Sequence, residues 1–140
     1  MTQGQWRTEA LKRFPELAAV VREADNPYAL WIDLWCHFTE AYDSQATDLV
    51  ARIYKYARWC SEQPRGKTAA DDLLTCVATC FWEHIPTHPK ALKDMPKWWT
   101  LKDVQTMRQI FSYLGGDDVY AEVLAQYDAK KSPRKRKRKA

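Results

Sequence analysis

Apolar residues recur along this chain at intervals of three and four rather than two, the spacing of helices whose inner faces are buried. A first helix is predicted over roughly Gln5–Arg13. Pro15 then falls where the first turn of a following helix tolerates a missing N–H, with Leu17, Val20 and Val21 on one face. Asn26-Pro27 repeats the device, with Asn as N-cap and Pro at the first helical position, and opens a long helix to about Asp43. Its large rings, Tyr28, Trp31, Trp35, Phe38 and Tyr42, are spaced 3, 4, 3 and 4 and predict a packing face. Ser44 reads as the next cap, ahead of Leu49, Ile53, Tyr56 or Ala57, and Cys60, and Pro64-Arg65-Gly66 ends that helix.

Thr68-Ala69-Ala70-Asp71 resembles a capping box with Asp in the Glu position, opening a helix with the stripe Leu73, Cys76, Val77, Cys80, Phe81 and His84 that Pro86 stops. Residues 86–99, with three prolines and paired tryptophans, read as an irregular crossing with at most a helical turn. Thr100-Leu101-Lys102-Asp103 reads as a second capping box. It starts a helix with Val104, Met107, Ile110, Phe111 and Leu114 inward, closed by Gly115-Gly116, and a last helix runs from about Asp117 to Lys130. The fold class is therefore all-α: an antiparallel bundle or irregular stack of six to seven helices over 1–129, followed by a disordered basic tail over 130–140. No fixed-period repeat supports a solenoid.

Charge changes this picture more than composition does. At 46% hydrophobic and 29% charged the chain is an ordinary globular one, and its net charge of +4 first reads as mildly basic. Eight of the 22 Lys and Arg, however, are Lys130, Lys131, Arg134, Lys135, Arg136, Lys137, Arg138 and Lys139, leaving 14 against all 18 acids in residues 1–129. A body of charge −4 thus carries a tail of +8. No apolar run approaches the roughly 20 residues of a membrane span, and the first residues lack the apolar region of an export signal. A cytoplasmic protein with four free thiols is expected.

Two constellations hold the materials of chemistry. Cys76, Cys80, His84 and His88 have zinc-type donors at intervals of four, but on one straight helix they would span about 18 Å, far beyond one coordination sphere. The two cysteines read instead as small core residues. Glu83, His84 and His88 with Asp71 and Asp72 offer carboxylates and imidazoles for acid–base work, yet acids in a first helical turn serve the dipole without any catalytic purpose. Cys36-His37 are helix neighbours about 100° apart and make a poor thiol–imidazole pair. No catalytic signature is complete, so neither an enzyme nor a cofactor is expected.

Binding is the better expectation. Trp98 and Trp99, adjacent in sequence, cannot both turn inward easily, and with the outward-pointing Glu83 and His88 they are candidate partner-binding residues. The eight tail bases suit a polyanion such as nucleic acid, without an aromatic residue for base stacking. The segments Glu62-Gln63-Pro64-Arg65-Gly66, Asp71-Asp72-Leu73-Leu74-Thr75-Cys76, Phe81-Trp82-Glu83-His84-Ile85-Pro86-Thr87-His88-Pro89 and Asp94-Met95-Pro96-Lys97-Trp98-Trp99-Thr100 resemble a family of small bacterial all-helical proteins of unassigned function. The resemblance spans most of residues 10–128 and implies a cytoplasmic helical domain acting as an immunity-like or other interaction partner. It implies no catalytic or binding residue and leaves the tail outside. A non-enzymatic module for a basic bacterial protein is thus the leading expectation, and a nucleic-acid-associated protein using its tail the alternative.

Overall fold

A computed structural model describes the backbone of residues 4–139 and the side chains of residues 4–128. The chain is all-α: among the described residues there are nine α-helices, two 3-10 segments and no strand. The count exceeds the expected six to seven because the helix expected from Thr100 is divided into two and 86–99 is more ordered than its prolines implied. The backbone of the last helix is described to Lys139 and so runs through the region expected as a disordered tail, whose side chains lie outside the described ones.

The helices group into two compact units, Met1–Phe81 and Trp82–Ala140. In the first, α1 (Gln5–Arg13) is followed by a 3-10 turn at Pro15–Leu17 and by α2 (Ala18–Glu23). The Asn26 side chain accepts from the Ala29 N–H at 2.8 Å with Pro27 in the first turn, so α3 (Pro27–Asp43) starts as its sequence directs. α4 is Thr47–Ser61 and α5 is Leu73–Cys80. Rings fill the interior: Trp31 stacks on Tyr56 at 5.5 Å and on Phe81 at 5.1 Å, while Phe38 meets Phe81 edge-on at 4.7 Å. The buried Tyr56 hydroxyl donates to the Trp6 carbonyl at 2.9 Å and so ties α4 to α1.

Three expectations in this unit are corrected. The inner face of α3 is Pro27, Leu30, Trp31, Leu34, Phe38 and Ala41, rotated by roughly 60° from the ring row. Trp31 and Phe38 belong to both, Trp35 and Tyr42 are half-buried, and Tyr28 is exposed. Ser44 does not cap α4 but ends α3, because the turn needs Gln45 in the left-handed region (φ 62°) and Ala46 before α4 begins. Thr68 does not cap α5 either. Its hydroxyl donates to Asp71 at 2.8 Å, and Asp72 is the cap.

In the second unit a 3-10 segment (Trp82–Thr87) contains Pro86, so Pro86 does not terminate an α-helix that has already ended at Cys80. The expected irregular crossing is α6 (Pro89–Trp98). His88 caps it through Nδ1, which accepts from the Ala91 N–H at 3.3 Å, and Pro89 occupies the first turn, the device of Asn26-Pro27 with an imidazole as acceptor. The Thr100–Asp103 capping box forms as read from the sequence. The helix it opens breaks at Met107 into α7 (Leu101–Thr106) and α8 (Arg108–Phe111). Val104 and Phe111 turn inward, but the break leaves Leu114 beyond the stripe and exposed. Gly116 takes φ +74°, the left-handed turn that a glycine adopts without strain, and opens α9 (Gly116–Lys139).

Candidate binding surfaces

Two surfaces of the first unit stand out, and neither was singled out from the sequence. The first is the outward face of α3, where Tyr28 and Ile32 are 38% and 49% exposed and Cys36 is exposed one turn further on. Asp33 and Glu40 are exposed on the flank of this row. Between Arg22 and Arg52 the sequence holds six acids and no Lys or Arg, so this stretch concentrates the negative charge of the body. The signal is present in the charge spacing, but Tyr28 belongs to the row of rings and so counts there toward the packing face.

The second is a cleft of about 420 Å³ whose walls include Trp6, Pro27, Trp59, Pro64 and Leu73, with Arg65, Lys67 and Asp71 among its polar lining. Its loop is built around Asp72. Oδ1 accepts from Arg65 Nε at 2.9 Å and from the Gly66 N–H at 2.8 Å, while Oδ2 accepts from the Thr75 N–H and hydroxyl at the start of α5. One buried carboxylate therefore fastens the 65–66 loop to the helix that follows. Burial pushes the Asp72 carboxyl up, but Thr75, Gly66 and Arg65 outweigh it and hold the group well below the usual carboxylate range. Gly66 is required by the close approach: a Cβ there would lie 2.6 Å from the Asp71 carbonyl oxygen. Gln63 donates to the Trp59 carbonyl at 2.9 Å, and Tyr56 stacks on one face of Trp59 at 5.9 Å.

The residues expected to bind a partner lie in the second unit. Glu83 is half-buried in the 3-10 segment, and burial raises its carboxyl. His88 has Nδ1 engaged in capping α6. Trp98 and Trp99 are half-buried at the far end of that helix, about 15 Å along its axis from His88, so α6 holds the two pairs of candidates apart. Trp99 packs edge-on against Phe111 at 5.2 Å, and its carbonyl accepts from the Tyr127 hydroxyl at 2.9 Å. The eight tail side chains from Lys130 to Lys139 lie outside the described ones.

Among the described residues, no three His, Cys, Asp or Glu side chains gather to hold a metal ion. Cys76 is buried, reaches the Ala69 and Ala70 carbonyls, and has its thiol pushed up to about 12 by burial and neighbouring Cys80, Asp72 and Asp71. Cys60 is raised likewise to about 12, burial again leading. These are protonated core thiols at neutral pH. No helix among the described residues is long and apolar enough to cross a membrane.

Compared with family models, curated proteins and solved structures, the chain matches none. The family resemblance therefore rests on the quoted segments alone.

Proposed function

We propose that the chain is a non-enzymatic, cytoplasmic protein-binding module that docks a basic bacterial protein, as an immunity or regulatory partner, through the outward face of α3. The observation that carries this reading is the Tyr28–Ile32–Cys36 row, exposed and apolar, beside Asp33 and Glu40 in a stretch without a single Lys or Arg. An apolar centre within a charged rim is how protein interfaces are organised, with binding energy concentrated in a few large side chains. The acids steer a cationic partner toward the face and speed its arrival. Tyr113 and Leu114 in the second unit are exposed as well, but there Arg108 reaches Asp117 at 3.4 Å and partly neutralises the acid.

Capture from the native host tests this directly. The full chain recovers a basic protein in stoichiometric amount, and Ile32→Lys or the pair Asp33→Lys/Glu40→Lys abolishes recovery while the helical circular dichroism is unchanged. Undiminished recovery by both variants overturns the reading. Loss confined to Trp98→Ala/Trp99→Ala instead moves the interface to the second unit, where Glu83 and His88 become the next positions to test.

A second reading is favoured by the eight bases between Lys130 and Lys139: non-specific contact with nucleic acid through the tail. Deleting 130–140 then removes duplex binding, and the full chain shows a log–log salt slope of about −0.9 per phosphate neutralised. Equal binding by the truncated chain excludes the tail as the cause.

A further inference from the structure

We infer that the cleft lined by Trp6, Trp59 and Arg65 is a binding site for a small aromatic monocarboxylate, separate from the α3 face. Its volume of about 420 Å³ suits a small molecule. The apolar part of the lining is the half-buried Trp59 ring and the exposed Pro64, with the edges of the otherwise buried Trp6, Pro27 and Leu73, surfaces that favour a flat apolar body over a flexible polar one.

Arg65 supplies the polar end of the site. Asp72 is 3% exposed and takes the guanidinium by Nε alone, whereas the Arg65 side chain is 74% exposed and its Nη nitrogens make no hydrogen bond among the described residues. An arginine held by Nε keeps its fork oriented, and two Nη donors match the two oxygens of a carboxylate. Lys67, on the same loop, adds a second cation to the lining.

The negative groups set the ligand's charge. Asp72 already shares the charge of Arg65, and Asp71 lines the cleft itself. A monoanion is accepted under these conditions, while a phosphate dianion meets repulsion from both carboxylates. The site therefore selects a carboxylate over a phosphate ester of the same ring.

The full chain titrated with 2-naphthoate, 2-naphthamide and 2-naphthyl phosphate provides the test, by calorimetry and by ¹H–¹⁵N spectra. Saturable naphthoate binding is expected, with shifts at the indole N–H groups of Trp6 and Trp59 and at the Gly66 amide, and with both analogues weaker by about tenfold or more. Arg65→Lys, which keeps the charge and removes the fork, weakens naphthoate by about tenfold, and Lys67→Gln by a few-fold. Partner capture through α3 is unaffected in both variants, so failure here and failure of the docking reading are told apart. The inference is overturned by shifts that avoid Trp6, Trp59 and Gly66, by equal binding of acid and amide, by tighter binding of the phosphate, or by unchanged affinity in folded Arg65→Lys and Lys67→Gln.

Discussion

In the first unit helices of 17 and 15 residues meet over stacked rings, whereas α6, α7 and α8 in the second run only 10, 6 and 4 residues before α9 begins. Helices that short are marginal without help, since nucleation fixes several dihedrals for one hydrogen bond. The second unit supplies that help at element ends, with His88 capping α6 and the Thr100–Asp103 box capping α7. Both units cap helices, the first at Asn26 and Asp72, and both bury apolar side chains, but the first adds a core of stacked rings while the second leans more on satisfied helix termini. Both proposed surfaces lie on the ring-packed unit, where a rigid interior holds an exposed row and a loop in fixed geometry.

The largest effect that could break this contrast comes from Phe38→Ala. Phe38 is fully buried and meets Trp35, Tyr42, Tyr54 and Phe81, so its removal costs about 3–5 kcal/mol by lost transfer energy and the cavity left behind. Urea denaturation measures the loss, and hydrogen exchange should locate it in α3, α4 and α5. A cost below about 1 kcal/mol would mean that the rings do not carry the first unit.

Next comes Asp72→Ala, which tests the one acid buried among the described residues of that ring-packed region. It removes the α5 cap and the bonds to Arg65 and Gly66, at a cost of about 2–3 kcal/mol. Because folding depresses the Asp72 carboxyl, its contribution is fully present above the unfolded value near pH 4 and is lost as pH falls through the folded one. The wild-type protein should thus lose stability on acidification below about pH 4, and Asp72→Ala should flatten that part of the profile. An identical acid limb in the two proteins would remove Asp72 as the cause.

These two residues also show what the sequence could and could not reveal. Helix starts that depend on adjacent residues were legible: Asn26-Pro27 and Thr100–Asp103 form as read. The choice between Asp71 and Asp72 was not, because both fit a first turn and only the return of the Arg65-Gly66 loop decides which carboxylate is buried. α6 was missed since imidazole is an uncommon cap and Pro96 sits inside the helix. The ring row of α3 marks the correct helix and a rotated face, for the smaller Leu30, Leu34 and Ala41 share with Trp31 and Phe38 in deciding which side is buried. The cleft joins Trp6 to Trp59 across 53 positions, and no local pattern announces such a meeting.

In the second unit, Thr100→Ala removes one arm of the capping box and is expected to cost about 1 kcal/mol. Exchange should quicken in α7 ahead of α6 and α9. Uniform quickening across the unit would show that its short helices are held by the interior after all, and would erase the contrast with the first.

The smallest effect belongs to Tyr127→Phe, which keeps the buried ring and deletes only the hydroxyl that donates to the Trp99 carbonyl at 2.9 Å. That carbonyl lies at the end of α6, where helix acceptors lack intrahelical donors, so the bond acts as a terminus contact supplied from α9. Its loss is worth about 0.5–1.5 kcal/mol. Burial and the charge of Asp103 push the Tyr127 hydroxyl up to about 12, so the folded chain keeps the proton that the unfolded chain releases near pH 10. The wild type therefore loses this advantage as pH rises from about 10 toward the folded value, and the gap between it and Tyr127→Phe should narrow over that interval. A gap that stays constant through the alkaline limb would mean that the hydroxyl contributes by shape alone, and that α6 is held at this end by the Trp99–Phe111 ring contact rather than by its satisfied carbonyl.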